Sequence, residues 1–160
     1  MEIAVRDWRR EDLAPVGKEW LAFCLQAVRP DMKIKQSPEK ALLAWLTGRF
    51  RDSATFGLIA ECDGEFAGFI LGRVDTLECI PPIVQSRKVG LIDALYVREQ
   101  FRRSSVAANL IEKSLALAAR RNAVVVETTY EAASQAAVQT WNRAGFTPWM
   151  IHAYRMLYNS

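Results

Sequence analysis

The 160-residue chain is 51% apolar and 24% charged and contains five tryptophans, a balance that excludes intrinsic disorder and suits one domain able to bury about 70% of its unfolded surface. Twenty-one Lys and Arg against 18 Asp and Glu leave a net charge of +3, dispersed rather than gathered into the basic face that nucleic-acid binding needs. Cys24, Cys62 and Cys79 form no C-x-x-C pair and His152 is the one histidine, so neither a disulfide framework nor a metal site is expected. The thiols are expected to be reduced and packed in a core, which points to the cytoplasm. No apolar run exceeds six residues, the length of Ala41 to Leu46, far short of the ~18 that span a bilayer. The first eight residues lack the basic-then-apolar order of a signal peptide, so no membrane partner is expected.

Residues 2–8 alternate, with Ile3 and Val5 on one side and Ala4 and Arg6 on the other, as in a short strand. Leu13, Val16, Trp20, Phe23, Cys24 and Ala27 recur at helical spacing and mark one buried stripe, which Arg29-Pro30-Asp31 ends. Ser37-Pro38-Glu39 starts a second helix: Ser37 caps, Pro38 suits the first helical position and Glu39 the positive pole. Ala41, Leu42, Trp45 and Leu46 supply its apolar face, and core positions are expected for Trp20 and Trp45. Residues 55–62 and 65–74 read as strands joined by Asp63-Gly64, a turn that demands positive φ. A long loop over 75–88 carries Pro81-Pro82. Residues 89–97 form a further strand. Val106, Ala107, Leu110, Ile111, Leu115 and Ala118 then give the buried stripe of a third helix, with Arg120-Arg121 at its negative pole and Asn122 as its stop. Residues 123–128 are nearly all apolar, as in a strand buried on both faces. Ser134 opens a last helix carrying Ala137, Val138 and Trp141, which Gly145-Phe146 breaks. Residues 149–158 alternate again and are expected to close the chain as a strand. The order β-α-α-β-β-β-α-β-α-β predicts a single domain over 1–160, an α/β sandwich with a mixed sheet.

Between residues 89 and 120 a strand runs into a turn with two arginines and two serines, then into a helix with small residues in its first turn. Helix N-termini offer unpaired N–H groups and a positive partial charge, and so bind phosphates; Arg102 and Arg103 add full charges there. An ordinary βα turn with exposed arginines is the plainer reading. Leu91-Ile92-Asp93-Ala94-Leu95-Tyr96-Val97 followed by Arg102-Arg103-Ser104-Ser105-Val106-Ala107 resembles the GNAT superfamily of acyl-CoA-dependent N-acyltransferases, whose hallmark is R/Q-x-x-G-x-G/A at a helix start after such a strand. Ala137, Trp141 and Gly145-Phe146 are similar to that family's closing N-x-x-A-x-x-x-Y-x-x-x-G-F pattern, and the element order agrees over nearly the whole chain.

The resemblance implies a GNAT-like sandwich whose mixed, mostly antiparallel central sheet is flanked by helices. It implies acetyl-CoA as co-substrate without a metal, and direct acetyl transfer to a primary amine of a small molecule or protein. The strand before the turn would splay from its neighbour, leaving backbone groups of Leu95, Tyr96 and Val97 for the pantetheine arm and the thioester carbonyl. The N–H groups of Arg103, Ser104, Ser105, Val106 and Ala107, with the charge of Arg102, would hold the pyrophosphate, and Trp141 would line the acyl pocket. Three positions depart from the pattern. Ser105 stands where the family has Gly, Ser134 where it has Asn, and Trp141 where many members have the Tyr that protonates the departing thiolate, a role closed to an indole N–H.

An alkyl amine with a pKa near 10 must lose a proton before it attacks. Asp93 is the first candidate base, because a carboxylate among the apolar neighbours of its strand would have a raised pKa; a surface Asp is the competing reading. Glu127 is the second candidate, and Tyr130 just beyond it could replace the missing acid. Tyr96 and His152 are the remaining titratable candidates. Residues 28–50 and the loop 75–88 are expected to shape the acceptor pocket, with Asp31, Glu39 and Glu78 as charges for a cationic amine. Ser105 and Trp141 also motivate a rival from another class, a non-catalytic acyl-CoA sensor or interaction module on the same fold. A sheet edge near the last strand is where two copies could pair as a homodimer.

Overall fold

Alternation over Ile3–Asp7 produces the edge strand β1 of a sheet in the computed structural model, which describes residues 1–157. Helices α1 (Leu13–Leu25) and α2 (Pro38–Arg51) follow, then strands β2 (Thr55–Cys62), β3 (Glu65–Leu77) and β4 (Arg87–Val97). Helix α3 (Val106–Arg120), strand β5 (Val125–Thr128) and helix α4 (Gln135–Arg143) complete the order. The sheet runs β1-β2-β3-β4-β5, antiparallel except for the parallel β4–β5 pair. The mixed, mostly antiparallel sheet flanked by helices is as the sequence predicts.

Period-two alternation distributes the core over two faces. Phe56, Leu58 and Ala60 of β2 and Ile70 of β3 meet Val106, Leu110 and Ile111 of α3 and Trp141 of α4. Ile59, Phe69 and Leu71 turn the other way, onto Leu13 and Val16 of α1 and Leu46 of α2. The β2–β3 turn places Asp63 at φ 49° and Gly64 at φ 82°, the conformation that the Asp-Gly pair demands. Ser134 caps α4 by accepting the Ala137 N–H at 3.3 Å, and Asn122, at φ 65°, ends α3.

Several expectations need correction. The strand expected over 149–158 is not formed over 149–157, where both faces of the segment are exposed and no neighbouring strand receives it; residue 158 lies outside the described residues. Residues 123–128 are not buried on both faces: β5 is four residues long and forms an edge, and Val124 is exposed. The loop expected over 75–88 shrinks to 78–86, because β3 and β4 extend their ladder to Leu77 and Arg87. Helix α1 stops at Leu25, leaving Phe23, Cys24 and Ala27 exposed. Cys24 is therefore not a core thiol; Cys62 is buried and Cys79 half-buried. Trp20 packs against the core, but Trp45 covers it from outside with one edge in solvent. Ser37 makes no side-chain cap. Along α3 the stripe includes Ser114 and Leu117, with Leu115 half-buried; Ser114 donates its hydroxyl to the Ile111 carbonyl at 2.7 Å and so fits an apolar face. No helix among the described residues is long and apolar enough to cross a membrane.

One charged cluster fastens β1 to the start of α1. Arg6 donates to both oxygens of Asp12, at 2.8 and 3.0 Å, and through Nε to Glu61 at 2.9 Å, while the Arg9 N–H reaches Asp12 at 2.6 Å. Burial pushes the Asp12 carboxyl up, but the bonds from Arg6 and Arg9 outweigh it and leave its pKa below the ordinary value. A depressed carboxylate stabilises the fold above its unfolded pKa, about 3.9, and loses that contribution as pH falls through its lower native value. Asp12→Asn should therefore cost about 2–3 kcal/mol at pH 7, with the gap to wild type narrowing below about pH 4 in urea titrations. A gap that stays constant from pH 7 to pH 3 would contradict this assignment.

Candidate functional site

Strand β4 is paired over different lengths on its two sides. Its ladder with β3 runs from Leu77–Arg87 to Gly68–Val97, but its ladder with β5 covers only Val89–Val125 to Ile92–Thr128. From Asp93 onward the β5 side of β4 is open. The Arg98 N–H bonds the Ala67 carbonyl at 2.9 Å, and Tyr96 stands opposite Phe69. Alternation along the strand then turns the backbone groups of Leu95 and Val97 to the open side. The Val97 carbonyl there accepts Arg102 Nε at 3.1 Å.

A bulge sets the phase of this stretch. Leu71 pairs with Ala94 and Gly72 with Ile92, so Asp93 is the extra residue. Asp93 and Ala94 consequently both serve the α1/α2 face: Ala94 packs on that core, and Asp93 accepts Arg49 of α2 at 2.9 Å and Arg73 of β3 at 3.2 Å. The apolar surroundings expected for Asp93 are absent. Two guanidiniums occupy both carboxylate oxygens, and a base role would require their release. Glu127 is held on one side only: its Oε1 accepts Arg87 Nη2 at 2.8 Å, and its Oε2 has no protein donor among the described residues. Arg87 also donates to Cys79 Sγ at 2.9 Å.

The aromatic candidates separate. Tyr130, two residues beyond β5, stacks on Trp141 with centroids 6.4 Å apart. Trp141 is 5% exposed, with Phe146 edge-on at 4.9 Å; its ring fills the core beneath α4 and does not line a pocket as expected. The Tyr96 side chain belongs to the opposite face, stacked on Phe69 and donating its hydroxyl to Glu19 at 3.0 Å. Burial, followed by that bond to Glu19, pushes its phenol up. The Tyr96 backbone groups, opposite Phe69, face β3 and not the open side, so of the three residues expected there Leu95 and Val97 remain. His152 is exposed on the terminal segment. Of the acceptor charges, Asp31 is tied to Arg29 at 2.9 Å, whereas Glu39 and Glu78 are exposed.

Beyond β4 a short turn, Glu99–Phe101, leads into α3. The Arg102 N–H bonds the Glu99 carbonyl at 3.1 Å. Arg103 takes φ 62°, a left-handed conformation that costs a non-glycine residue about 1–3 kcal/mol and turns successive N–H groups toward one side. Ser104 donates to the Phe101 carbonyl at 2.6 Å and accepts the Val106 N–H at 3.3 Å. Among the described residues, the N–H groups of Arg103, Ser104, Ser105 and Ala107 have no protein acceptor, and Arg103 and Ser105 are exposed. Of the five donors expected there, four are open, and that of Val106 is turned into the protein. Ser105 has φ −81°, so a side chain where the family has Gly strains nothing in the backbone. Arg102 is folded onto Val97 and does not project freely, as its expected phosphate role would require.

Arg49, Arg73 and Arg87, which hold the candidate carboxylates, escaped the sequence reading. The usable signals were Gly72, a glycine inside a strand that marks the bulge, and the same-face pair Arg73 and Asp75, joined at 2.9 Å. The 380 Å³ cavity lined by Asp7, Trp8, Thr55 and Arg121 lies at the far end of α3 and includes none of these groups. Among the described residues, no group of three His, Cys, Asp or Glu side chains is placed to hold a metal.

Comparison with known proteins places this geometry. A curated uncharacterized N-acetyltransferase from Archaeoglobus fulgidus is 35% identical over 88 residues, which are 55% of this chain and 55% of that relative. The match thus spans about half of the relative's length. A solved structure described as a putative acetyl transferase from Pyrococcus furiosus shares the fold at TM-score 0.78 and 15% identity, over 98% of this chain and all of that one. The aminoglycoside N-acetyltransferase AAC(6')-Iy, solved in complex with CoA, does so at TM-score 0.74 and 18% identity, over 98% and 96% of the two chains. The model of the acetyltransferase (GNAT) family matches residues 17–146. The chain belongs to that family.

Proposed function

We propose that this chain, acting as one domain over residues 1–160, is an acetyl-CoA-dependent N-acetyltransferase of the cytoplasm that acylates a primary amine of a small molecule or protein. The observation that carries the reading is the row of unpartnered N–H groups at the start of α3, four of them within residues 103–107, directly beyond the open end of β4. Such a row fits a diphosphate, because each amide gains a charge-assisted bond without protein rearrangement. The aminoglycoside N-acetyltransferase of like fold has a small-molecule acceptor by its name, which supports an acceptor of that class here.

Acetyl-CoA supplies the activated acyl group as a thioester. The N–H groups of Arg103, Ser104, Ser105 and Ala107 hold its diphosphate. The open backbone groups of Leu95 and Val97 hold the amide-bearing arm, once Arg102 releases the Val97 carbonyl and turns to the phosphates. An N–H on this edge faces the thioester oxygen as negative charge develops. Glu127 Oε2 accepts the proton of the incoming amine. The Tyr130 hydroxyl, positioned by the stack on Trp141, protonates the departing thiolate. Asp93 holds Arg49 and Arg73 in register and so positions the acceptor side.

Trp141 favours a second reading, a non-catalytic acyl-CoA sensor, since the buried indole stands where an acid is expected. Thiol release over a panel of amines separates the two. Turnover removes the sensor, and tight CoA binding without turnover supports it.

Isothermal titration with acetyl-CoA should show saturable binding, and no heat at millimolar ligand would contradict the proposal. Ser105→Pro fits the observed φ while deleting one open N–H, and should weaken that affinity about tenfold or more. Ser105→Gly should stay within a few-fold of wild type. Glu127→Gln should lower kcat by roughly 10²–10⁴ with acetyl-CoA affinity unchanged. An equal loss in Asp93→Asn, with Glu127→Gln near wild type, would restore Asp93 as the base.

A further inference from the structure

The 380 Å³ cavity lies where the end of β1, the start of β2 and the C-terminal end of α3 meet, and its walls include Asp7, Trp8, Phe56, Leu117, Arg120 and Arg121. Asp7 alternates with Ile3 and Val5, which pack toward α3, so its carboxylate is on the α3 side of the sheet. Asp7 and Arg120 are both exposed, and among the described residues neither side chain has an ion-pair or hydrogen-bond partner. Arg121 is fixed: its Nη1 donates to the carbonyls of Ser53, Ala54 and Thr55 at 3.3, 3.0 and 3.2 Å. Its Nε and Nη2 have no protein acceptor among the described residues. Apolar surface completes the wall. Phe56 and Leu117 are buried core residues, and the Trp8 ring lies 2.3 Å from where a Cβ on Gly57 would stand, a close approach that only glycine allows.

We propose that this cavity is a binding site for a free α-amino acid with an apolar side chain, separate from the acetyl-transfer site. Its volume is at the lower end of small-molecule pockets, which begin at about 300 Å³, and so suits a ligand of amino-acid size. The charges select the class. Two guanidiniums with unused donors face one unpaired carboxylate. A simple anion such as phosphate would meet the Asp7 charge, and a simple cation would meet the arginines. An α-amino acid carries both signs on neighbouring groups: its carboxylate takes the charge-assisted bonds of Arg120 and Arg121, and its ammonium those of Asp7. Its side chain covers Trp8, Phe56 and Leu117. Arg121 is already held by β2, so little side-chain freedom is lost when the ligand enters. The site does not depend on the proposed transferase activity, because the open N–H groups of residues 103–107 are at the opposite end of α3.

Titration of the ¹⁵N-labelled full chain with L-phenylalanine, without any cofactor, tests the site. The Trp8 indole resonance and the Gly57 and Arg121 amides should move and half-saturate at or below about 1 mM, while the amides of Arg103 to Ala107 stay in place. Phenethylamine, which lacks the carboxylate, and 3-phenylpropanoate, which lacks the ammonium, should each bind about tenfold or more weakly. Arg120→Gln should weaken L-phenylalanine by about tenfold and leave phenethylamine unchanged. Asp7→Asn should weaken L-phenylalanine similarly without weakening 3-phenylpropanoate. Both positions are exposed, and an unchanged circular-dichroism spectrum checks that each variant folds. The proposal is overturned by resonances of Trp8 and Arg121 that do not move, by movement at residues 103–107 instead, by equal affinity for the three compounds, or by variants that bind L-phenylalanine as the wild type does.

Discussion

An α-helix cannot satisfy its own first N–H groups, and in this chain that constraint falls where β4 has already lost its neighbour. β5 ends at Thr128, opposite Ile92, while β4 runs on to Val97. The chain then needs only the short turn Glu99–Phe101 and the left-handed Arg103 to enter α3. Two kinds of unfinished backbone are thereby set end to end: the free edge at Leu95 and Val97, and the open donors from Arg103 to Ala107. A long cofactor with an amide-bearing arm and a diphosphate matches that succession, and the side chains mainly orient it. Arg102, Ser104 and Val106 use parts of the row for the protein itself, which holds the turn in shape without closing it.

Strand length and the bulge, rather than residue type alone, decide which side chains meet. The extra residue at Asp93 changes the phase of β4, so Asp93 and Ala94 serve one face while Leu95 and Val97 pack toward α3. The same shift brings Asp93 to Arg49 and Arg73. It also separates the Tyr96 phenol, which bonds Glu19 on the α1 side, from Tyr130 and Trp141, which stack on the other. The carboxylates beside the opening are held by arginines, Asp93 by Arg49 and Arg73 and Glu127 by Arg87, leaving the N–H donors and Glu127 Oε2 to engage ligands.

Much of the fold could be read in the residues. Asp63-Gly64 fixed the β2–β3 turn because few other pairs accept two positive φ values. Ser134 and Asn122 marked helix ends through the bonds they make in place of helical ones. The stretch 91–107 carried the site, because strand, turn and helix start are contiguous in sequence. Long-range pairing was not legible. The apolar composition of 123–128 suits a buried strand, but burial depends on whether a neighbour exists, and among the described residues β5 has none on its outer side. The alternation over 149–157 promised a strand whose partner the sequence does not name. The environment of Asp93 was hidden for a similar reason: its neighbours along the chain are apolar, but the arginines that hold it come from α2 and β3.

Amide chemical shifts report most directly on the helix start. In a ¹⁵N-labelled sample titrated with CoA, the N–H resonances of Arg103, Ser104, Ser105 and Ala107 should move downfield together and saturate at one stoichiometric equivalent, while that of Val106, already bonded to Ser104, moves least. Saturation by CoA with those four resonances unmoved would place the diphosphate elsewhere and contradict this account.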